Sequence, residues 1–224
     1  MRLIDYSSNR RPAIPGGHQR RGVVCAAMAG AALLAAGLCG CGSAKPVKYY
    51  QLTHPPTTSL AASPAPLDAA LLVRLFQTSH LYREDRIVYG SDTVQVGIYE
   101  TQRWTEPPVE LLQDALARGL RSSGKFKAVT TLRSDAAAGF ALVGHLYDFR
   151  EVSTNGIAAM LNYDVGLMDL KQSKVFWRHT YTHDEPSTGG EVADLAAAMD
   201  RNVQRSVQEV QDGVLQAISS YTQK

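Results

Sequence analysis

The chain has 224 residues, with 23 Lys and Arg against 21 Asp and Glu. Five of the arginines and one of the acidic residues lie in positions 1–40, which leaves 18 basic and 20 acidic residues after that point. The net charge after position 40 is therefore close to zero, and the excess of positive charge that favours nucleic-acid binding is lacking. All three cysteines lie at or before position 41, so the remaining residues, about 180, must be held by a packed core without disulfides.

An arginine-rich segment followed by apolar residues stands at the N-terminus. Residues 22–38 are apolar or small and run into LCGC at positions 38–41, which matches the processing site of bacterial lipoproteins, with a small residue before the cut. Cleavage before Cys39 would place a bulky leucine next to the cut, and a transmembrane anchor would need a longer apolar span. The sequence therefore predicts a signal peptide over 1–40 and lipidation of Cys41.

Acylation of Cys41 predicts a membrane-bound protein. Several acyl chains, palmitate among them, hold a protein stably on a bilayer, whereas one chain does so only marginally. Gly42 and Ser43 follow the cysteine, without an aspartate that would signal retention in the inner membrane. The expected location is the periplasmic face of the outer membrane.

A proline-rich segment lies a few residues farther on. Residues 53–66 contain four prolines among Ser, Thr and Ala, a composition that favours extended backbone over a core. The sequence therefore predicts a lipidated N-terminus and tether over 41–66 and one globular domain over 67–224. The segment Tyr49-Tyr50-Gln51-Leu52 is interpreted either as an edge strand of that domain or as a docking patch.

The first half of the domain is predicted to combine short strands with one helix. Apolar and β-branched residues predict strands over 70–76, 87–89 and 93–99. Thr105 is a candidate N-cap for a helix with two prolines in its first turn, and residues 122–124 end that helix. Spacings of three and four residues mark its buried face: Val109, Leu112, Leu116 and Leu120.

The second half is predicted to consist mainly of longer strands. They are expected over 126–132, 140–152, 161–167 and 174–182, with a hairpin turn at 171–173. In the last of these strands, alternation assigns five side chains to one face: Val175, Trp177, His179, Tyr181 and His183.

A long terminal helix completes the predicted domain. Capping-box spacing at 188–191 precedes an apolar stripe that continues to Ile218. The order of elements predicts a single α/β or α+β sandwich domain, in which a mixed, mostly antiparallel sheet is covered by two long amphipathic helices.

The residues that could carry catalysis or bind a metal do not converge. His179 and His183 would lie roughly 13 Å apart on a strand, too far to bind one ion together. His145 and Asp148 are expected on opposite faces of their strand, which argues against an acid/base pair. Neither a serine nucleophile elbow nor a phosphate-binding glycine loop occurs. The sequence predicts no enzyme, no metal site and no cofactor.

The junction between the third predicted strand and the first helix holds an unusual group of residues. Arg103, Trp104, Glu106 and Pro107 combine a large aromatic side chain with a pair of charges and a rigid proline. Trp104 is interpreted first as a packing plug at the junction. The alternative is an interaction rim, because aromatic and arginine side chains on rigid elements make good anchors for a partner.

Taken in order, these motifs resemble the ABC-type transport auxiliary lipoprotein family. The motifs are Cys41 in its processing site, the tyrosine-rich 49–52, the 81–89 segment that starts with Leu-Tyr-Arg, the 103–107 junction, the strand with Trp177 and the terminal helix. Each motif is short, and only their order is specific. The family includes the outer-membrane lipoprotein of the paraquat-inducible membrane-integrity system.

The resemblance implies a non-enzymatic part of a lipid transport system. Family members work with an inner-membrane ABC transporter and an MCE-domain protein that bridges the periplasm, and they hold the far end of that bridge at the outer membrane. Six residues match the family's motifs and become candidates for partner binding: Tyr50, Leu52, Arg103, Trp104, Glu106 and Pro107. Self-association is left open. The alternatives are a lipoprotein that carries a lipid in an apolar cavity and a periplasmic hydrolase.

Overall fold

A computed structural model describes residues 45–53, 67–91, 94–131, 138–154 and 156–222. The predicted signal peptide, Cys41 and all but the first residue of the proline-rich segment lie outside these ranges. The described residues form nine strands, two α-helices and one 3₁₀ helix. The strands are β1 (Lys48–Tyr50), β2 (Leu67–Val73), β3 (Gln77–Thr78), β4 (Arg86–Gly90), β5 (Gly97–Trp104), β6 (Phe126–Thr130), β7 (Phe140–Val152), β8 (Ala158–Asp169) and β9 (Lys174–Pro186). The helices are α1 (Pro108–Ser122) and α2 (Val192–Thr222), and the 3₁₀ helix is His80–Arg83.

Strand β7 is the centre of one mixed sheet. It pairs antiparallel with β8, which pairs antiparallel with β9, and these long ladders make up most of the paired residues. On its other edge β7 pairs parallel with the short strands β2, β3 and β4. The predicted α+β fold is confirmed: a mixed sheet, predominantly antiparallel by paired length, is covered by two helices.

The two helices bury the faces that their apolar residues mark. The predicted stripe of α1 is buried, and so are Val203, Val210, Val214 and Ile218 along α2. Helix α2 packs on β8 and β9 and also on α1, so the core lies between the helices and the sheet. Among the described residues, none of the helices is long and apolar enough to cross a membrane.

The helix starts differ from the prediction. Helix α1 begins at Pro108, and the carbonyl of Pro107 accepts hydrogen bonds from the Glu110 and Leu111 N–H groups, so Thr105 does not cap it. Helix α2 begins at Val192, and the N–H of Glu191 donates to Asp194 Oδ2 at 3.2 Å. The predicted capping box at 188–191 was therefore placed three residues too early.

Several strands begin or end at residues other than those predicted. The strand predicted over 93–99 begins at Gly97 and continues to Trp104, and the one predicted over 126–132 ends at Thr130. The strand predicted over 70–76 covers Leu67–Val73 instead, and Leu67 donates its N–H to the Lys125 carbonyl. The prediction of 140–152 is confirmed at both ends.

Two bulges change which side chains share a face. In β7 the register shifts between Leu146 and Asp148, so that His145 and Asp148 lie on the same face of the strand and not on opposite faces. In β9 the register shifts between Val175 and Trp177, and the Phe176 ring stacks on Tyr221 of α2 with centroids 4.0 Å apart. Phe176, and not Val175, therefore shares the helix-covered face with Trp177.

The folded unit begins before the proline-rich segment. The compact unit that contains the sheet and both helices starts at Pro46. Strand β1 is hydrogen-bonded into the sheet and Leu52 is buried in the core. A strand and a core residue thus precede the proline-rich segment, which agrees with the interpretation of residues 49–52 as an edge strand of the domain.

Candidate docking site

Two motifs that the family resemblance singles out, residues 49–52 and 103–107, lie side by side. Strand β1 pairs parallel with β5, so that Tyr50 lies beside Trp104. The N–H of Thr105 donates to the Tyr50 carbonyl at 2.8 Å, and the Tyr50 hydroxyl donates to Gln102 Oε1 at 2.8 Å. Burial, followed by the charge of Glu191, raises the pKa of the Tyr50 hydroxyl and so favours its protonated form, which donates this hydrogen bond. The start of the folded unit and the β5–α1 junction form one structural feature.

Trp104 and Leu52 fill the inside of this junction. Trp104 is 1% exposed, and its ring meets Phe149 edge to face with centroids 5.4 Å apart. Its backbone N–H donates to the Asp85 carbonyl at 2.7 Å. Leu52 is 2% exposed in the same core cluster. This arrangement fits the packing-plug interpretation, since both side chains stabilise the junction from within.

The remaining motif residues lie at the surface around that plug. Arg103 Nη1 contacts Asp85 Oδ1 at 3.2 Å, which fixes the guanidinium beside the junction. Glu106 is exposed, and Pro107 is half-buried at the start of α1. Tyr49 is 62% exposed, although it is not among the six residues predicted as candidates for partner binding. The sequence contained an indication of this, because successive side chains of a strand point to opposite faces. When one ring of a Tyr-Tyr pair is buried, the other is therefore exposed.

We call the four surface residues Tyr49, Arg103, Glu106 and Pro107 the junction rim. It combines an exposed aromatic ring, a fixed guanidinium and an exposed carboxylate on a rigid base. Aromatic and arginine side chains of this kind are enriched where proteins bind proteins. Strand β1 has hydrogen-bonded neighbours on one edge only among the described strands.

A groove of about 370 Å³ runs along the contact between the two helices. Leu52 and Thr53 lie at one end, and Thr53 donates hydrogen bonds to the Asp200 carboxylate from both its N–H and its hydroxyl. Much of the remaining lining is polar: Arg118, Ser122, Ser123, Gln204, Gln208 and Gln211. Leu52, Ala115, Val203 and Val207 add apolar surface, so the lining of the groove is mixed.

The histidines of β9 contact charged side chains of α2. His179 Nε2 lies 3.4 Å from Glu209 Oε2, and His183 Nε2 lies 2.9 Å from Arg205 Nη1. Within the described part of the chain, no group of three or more His, Cys, Asp or Glu is placed to bind a metal. The side chains of His145 and Asp148 have different partners: His145 stacks on Tyr147, whereas Asp148 accepts hydrogen bonds from Arg150 and Asn162.

The fold is a compact α+β domain in which two helices cover a mixed sheet. A strand from the N-terminal segment extends the edge of this sheet, and a tryptophan is buried at the junction of β5 and α1. The sequence model of the ABC-type transport auxiliary lipoprotein component matches residues 50–211, which is most of the chain. The chain belongs to this family and is accordingly a lipoprotein of the cell envelope that serves an ABC-type transport system.

Solved structures share the fold. Protein XCC0632 from Xanthomonas campestris, of the DUF330 family, is 21% identical with a TM-score of 0.69, and the match covers 79% of this chain and 100% of that one. A second solved structure, of an uncharacterized protein, is 13% identical with a TM-score of 0.61, and the match covers 76% of this chain and 99% of that one. The comparison with curated proteins gives no significant match.

Proposed function

We propose that the protein is an outer-membrane-anchored, non-enzymatic auxiliary lipoprotein of an MCE-containing lipid transport system. In this role it docks the periplasm-spanning MCE-domain protein at the outer membrane and works with the ABC transporter components on the other side of the bridge. Family membership supports the transport role. The finer assignment to an MCE system rests on the motif order in the sequence.

The observation that carries the docking role is the junction rim. Its side chains surround a packed tryptophan, so they are presented on a base that does not have to become ordered when a partner binds. Tyr49 supplies an exposed aromatic anchor, while Arg103 and Glu106 supply charges of both signs. Trp104 and Leu52 contribute to the proposed site by holding β1 and α1 in place.

The N-terminal link supports placement at a membrane. The proposal includes removal of residues 1–40 and acylation of Cys41. Only six residues separate Cys41 from Lys48, the first residue of β1. Fully extended, the link from Cys41 to Lys48 spans at most about 25 Å. The folded unit would therefore stay close to the bilayer that holds its anchor, which is where the end of a periplasmic bridge has to be received.

The test is crosslinking in cells followed by purification of the tagged protein. Native protein should recover an MCE-domain protein, and Cys41→Ser should recover much less because the domain is no longer held at the membrane. The double variant Tyr49→Ala with Glu106→Arg should also reduce recovery at least several-fold, while it remains acylated and folded. Tyr147→Ala is the matched control, since Tyr147 is a similarly exposed tyrosine on β7, outside the rim.

Two results would contradict different parts of the proposal. If native protein is confirmed at the membrane and recovers neither an MCE-domain protein nor an ABC-transporter component, the transport-bridge role fails. If an MCE-domain protein is recovered equally by the rim variant and by Tyr147→Ala, the role stands but the rim is not the docking site.

A further inference from the structure

Strand β9 is a long edge strand of the sheet. It extends from Lys174 to Pro186, and β8 is its only hydrogen-bonded neighbour among the described strands. An edge of this length presents a row of backbone N–H and C=O groups with which another strand can pair. Bulges and prolines interrupt such edges, and in β9 they lie near the ends, at the register shift between Val175 and Trp177 and at Pro186. Residues 178–184 thus form an uninterrupted edge.

The pairing with β8 shows which backbone groups of β9 face this free edge. Ser187 donates its N–H to the carbonyl of Ile157, which lies directly across the ladder, so these two residues form a hydrogen-bonded pair. Because such pairs alternate along an antiparallel ladder, residues 185, 183, 181 and 179 also direct their backbone groups to β8. The residues between them direct their N–H and C=O groups to the free edge: Arg178, Thr180, Thr182 and Asp184.

The side chains of these four residues are polar and exposed. They alternate along β9 with Tyr181, which is buried and whose hydroxyl donates to Asn202 of α2. They therefore lie on the face of the strand that points away from this helix. The two outer residues carry opposite charges, and the two inner ones are threonines, which are frequent in strands. We call residues 178–184 the β9 edge.

The β9 edge is complementary to itself. In an antiparallel pair of two copies centred on Tyr181, Arg178 of one copy lies opposite Asp184 of the other, and Thr180 lies opposite Thr182. The backbone groups of all four residues face the free edge, so each opposed pair can exchange two hydrogen bonds. Opposite charges and paired threonines directly across antiparallel strands are stabilising combinations. A pairing centred on Thr180 or Thr182 would separate the opposite charges, so the register centred on Tyr181 is favoured.

Helix α2 supplies a second complementarity. Arg205 Nη1 lies 2.9 Å from His183 Nε2, and Glu209 Oε2 lies 3.4 Å from His179 Nε2, so these half-exposed charges follow β9. In the pairing centred on residue 181, position 179 of one copy is opposite position 183 of the other. Arg205 of each copy therefore comes to the same point along the paired strands as Glu209 of the other copy. The charges on the helices favour the same register as the charges on the strands.

We propose that two copies of this chain associate through the β9 edge, antiparallel and about a two-fold axis at Tyr181, so that their sheets join into one. Such a contact is isologous, since both copies contribute the same residues. A second copy is favoured over a strand of another protein as the occupant because the edge itself supplies the partner for each of its charges. The junction rim stands at β1, on a different edge of the sheet, so the pairing does not use its residues. The inference does not depend on the proposed function.

The test uses the full chain as cells process it, extracted from membranes in detergent, and measures its oligomeric state by analytical ultracentrifugation. We expect a dimer for the native protein. Arg178→Asp and Asp184→Arg each place like charges opposite one another, and each should weaken dimerisation by about tenfold because the symmetry applies the change twice. The combined variant restores opposite charges and should recover the dimer. Lys174→Asp is the matched control, since it makes the same charge change at an exposed residue of β9 outside the β9 edge.

Several results would overturn the inference. One is a native protein that stays monomeric at micromolar concentrations, and another is a pair of single variants that associate as strongly as Lys174→Asp. Failure of the combined variant to recover a dimer that each single change weakens would contradict the pairing centred on Tyr181. A photo-crosslinker at position 180 that captures another protein in cells, and no second copy, would assign the edge to that protein. None of these results bears on the docking role, which is tested by recovery of an MCE-domain protein.

Discussion

At the scale of single residues, Asn202 links α2 to the sheet. It is fully buried, and its Nδ2 donates to the Ala159 carbonyl at 2.8 Å and to the His183 carbonyl at 2.9 Å. Its Oδ1 accepts a hydrogen bond of 2.6 Å from the Tyr181 hydroxyl. One side chain thus satisfies polar groups of both β8 and β9, which α2 covers.

Replacing Asn202 should destabilise the fold strongly. Asn202→Ala removes the donor of two buried carbonyls and the shorter of two hydrogen bonds made by the Tyr181 hydroxyl, which keeps only its 3.2 Å bond to the backbone carbonyl of residue 202. We expect the free energy of unfolding to fall by about 3 kcal/mol. Urea denaturation measures this change. The control is Gln208→Ala at an exposed position of the same helix, which should change stability by less than about 0.5 kcal/mol. Equal losses in the two variants would show that the buried network contributes nothing.

Glu185 should make stability dependent on pH. Burial acts to raise the pKa of this carboxyl, but hydrogen bonding to Arg201 and the charges of Arg205 and Arg201 outweigh it and lower the pKa. A carboxyl with a lowered folded-state pKa contributes stability above its ordinary pKa, near 4.5, and loses it as the pH falls through the lowered value.

The comparison is between the native protein and Glu185→Gln in urea at a series of pH values. The native protein should be more stable near neutral pH, and the difference should shrink as the solution is acidified below the ordinary glutamate range. Glu110→Gln, at an exposed position in the first turn of α1, serves as the control. A difference for Glu185→Gln that stays constant across the acid range would contradict the assigned ion-pair network.

At the scale of elements, the contact between α1 and α2 depends on a missing side chain. Gly119 is buried where the helices meet, and an added Cβ would lie far inside contact distance of Val207 Cγ1. Gly119→Ala should therefore cost about 1–3 kcal/mol of stability. In a Val207→Ala background the same change should be neutral or stabilising, because alanine is better than glycine in a helix by about 1 kcal/mol.

A thermal or urea double-mutant cycle measures this reversal of sign. Gly190, just before α2, has no heavy atom within 4 Å of an added Cβ, so Gly190→Ala is a control without a clash. A loss for Gly119→Ala that is unchanged by Val207→Ala would mean that the helices do not meet as described.

Helices and strands could be predicted where the residues of a single segment carry the whole pattern. The bounds of β7 and the buried stripe of α1 follow from apolar periodicity within a few residues. The bulges at Tyr147 and Phe176 were not predictable, because each depends on how a partner strand is paired. The start of α1 was misplaced because the pairing of β5 with β1 extends to the N–H of Thr105, and the helix begins only at Pro108.

At the scale of the whole molecule, the sequence could not show that β1 belongs to the domain. Its partner strand β5 lies 54 positions farther along the chain, and a proline-rich segment intervenes. The junction motifs could be recognised separately, but only the pairing of β1 with β5 shows that they form one site. The burial of Trp104 was predictable as a packing plug. The Tyr-Tyr pair indicated that one of its two rings is exposed, but only the register shows that this ring belongs to Tyr49.

This pairing predicts that the folded unit needs the residues before the proline-rich segment. A chain that begins at residue 67 lacks β1 and Leu52, and it uncovers the edge of β5 beside Trp104. We expect it to be less stable than a chain that begins at residue 46 by at least the cost of a large core truncation, about 2–5 kcal/mol. Leu52→Ala in the longer chain should reproduce part of this loss without removing the strand.

The measurement is urea denaturation followed by tryptophan fluorescence. The chain has two tryptophans, so a Trp177→Phe background leaves Trp104 as the sole reporter. Emission from Trp104 should shift to the red in the chain that begins at residue 67, because water gains access to a ring that is otherwise buried. The chain that begins at residue 46 should match the longer mature protein in both midpoint and emission. Equal midpoints and unshifted emission in the shortest chain would instead mean that β1 is an accessory strand, and that the domain begins after the proline-rich segment, as its composition suggested.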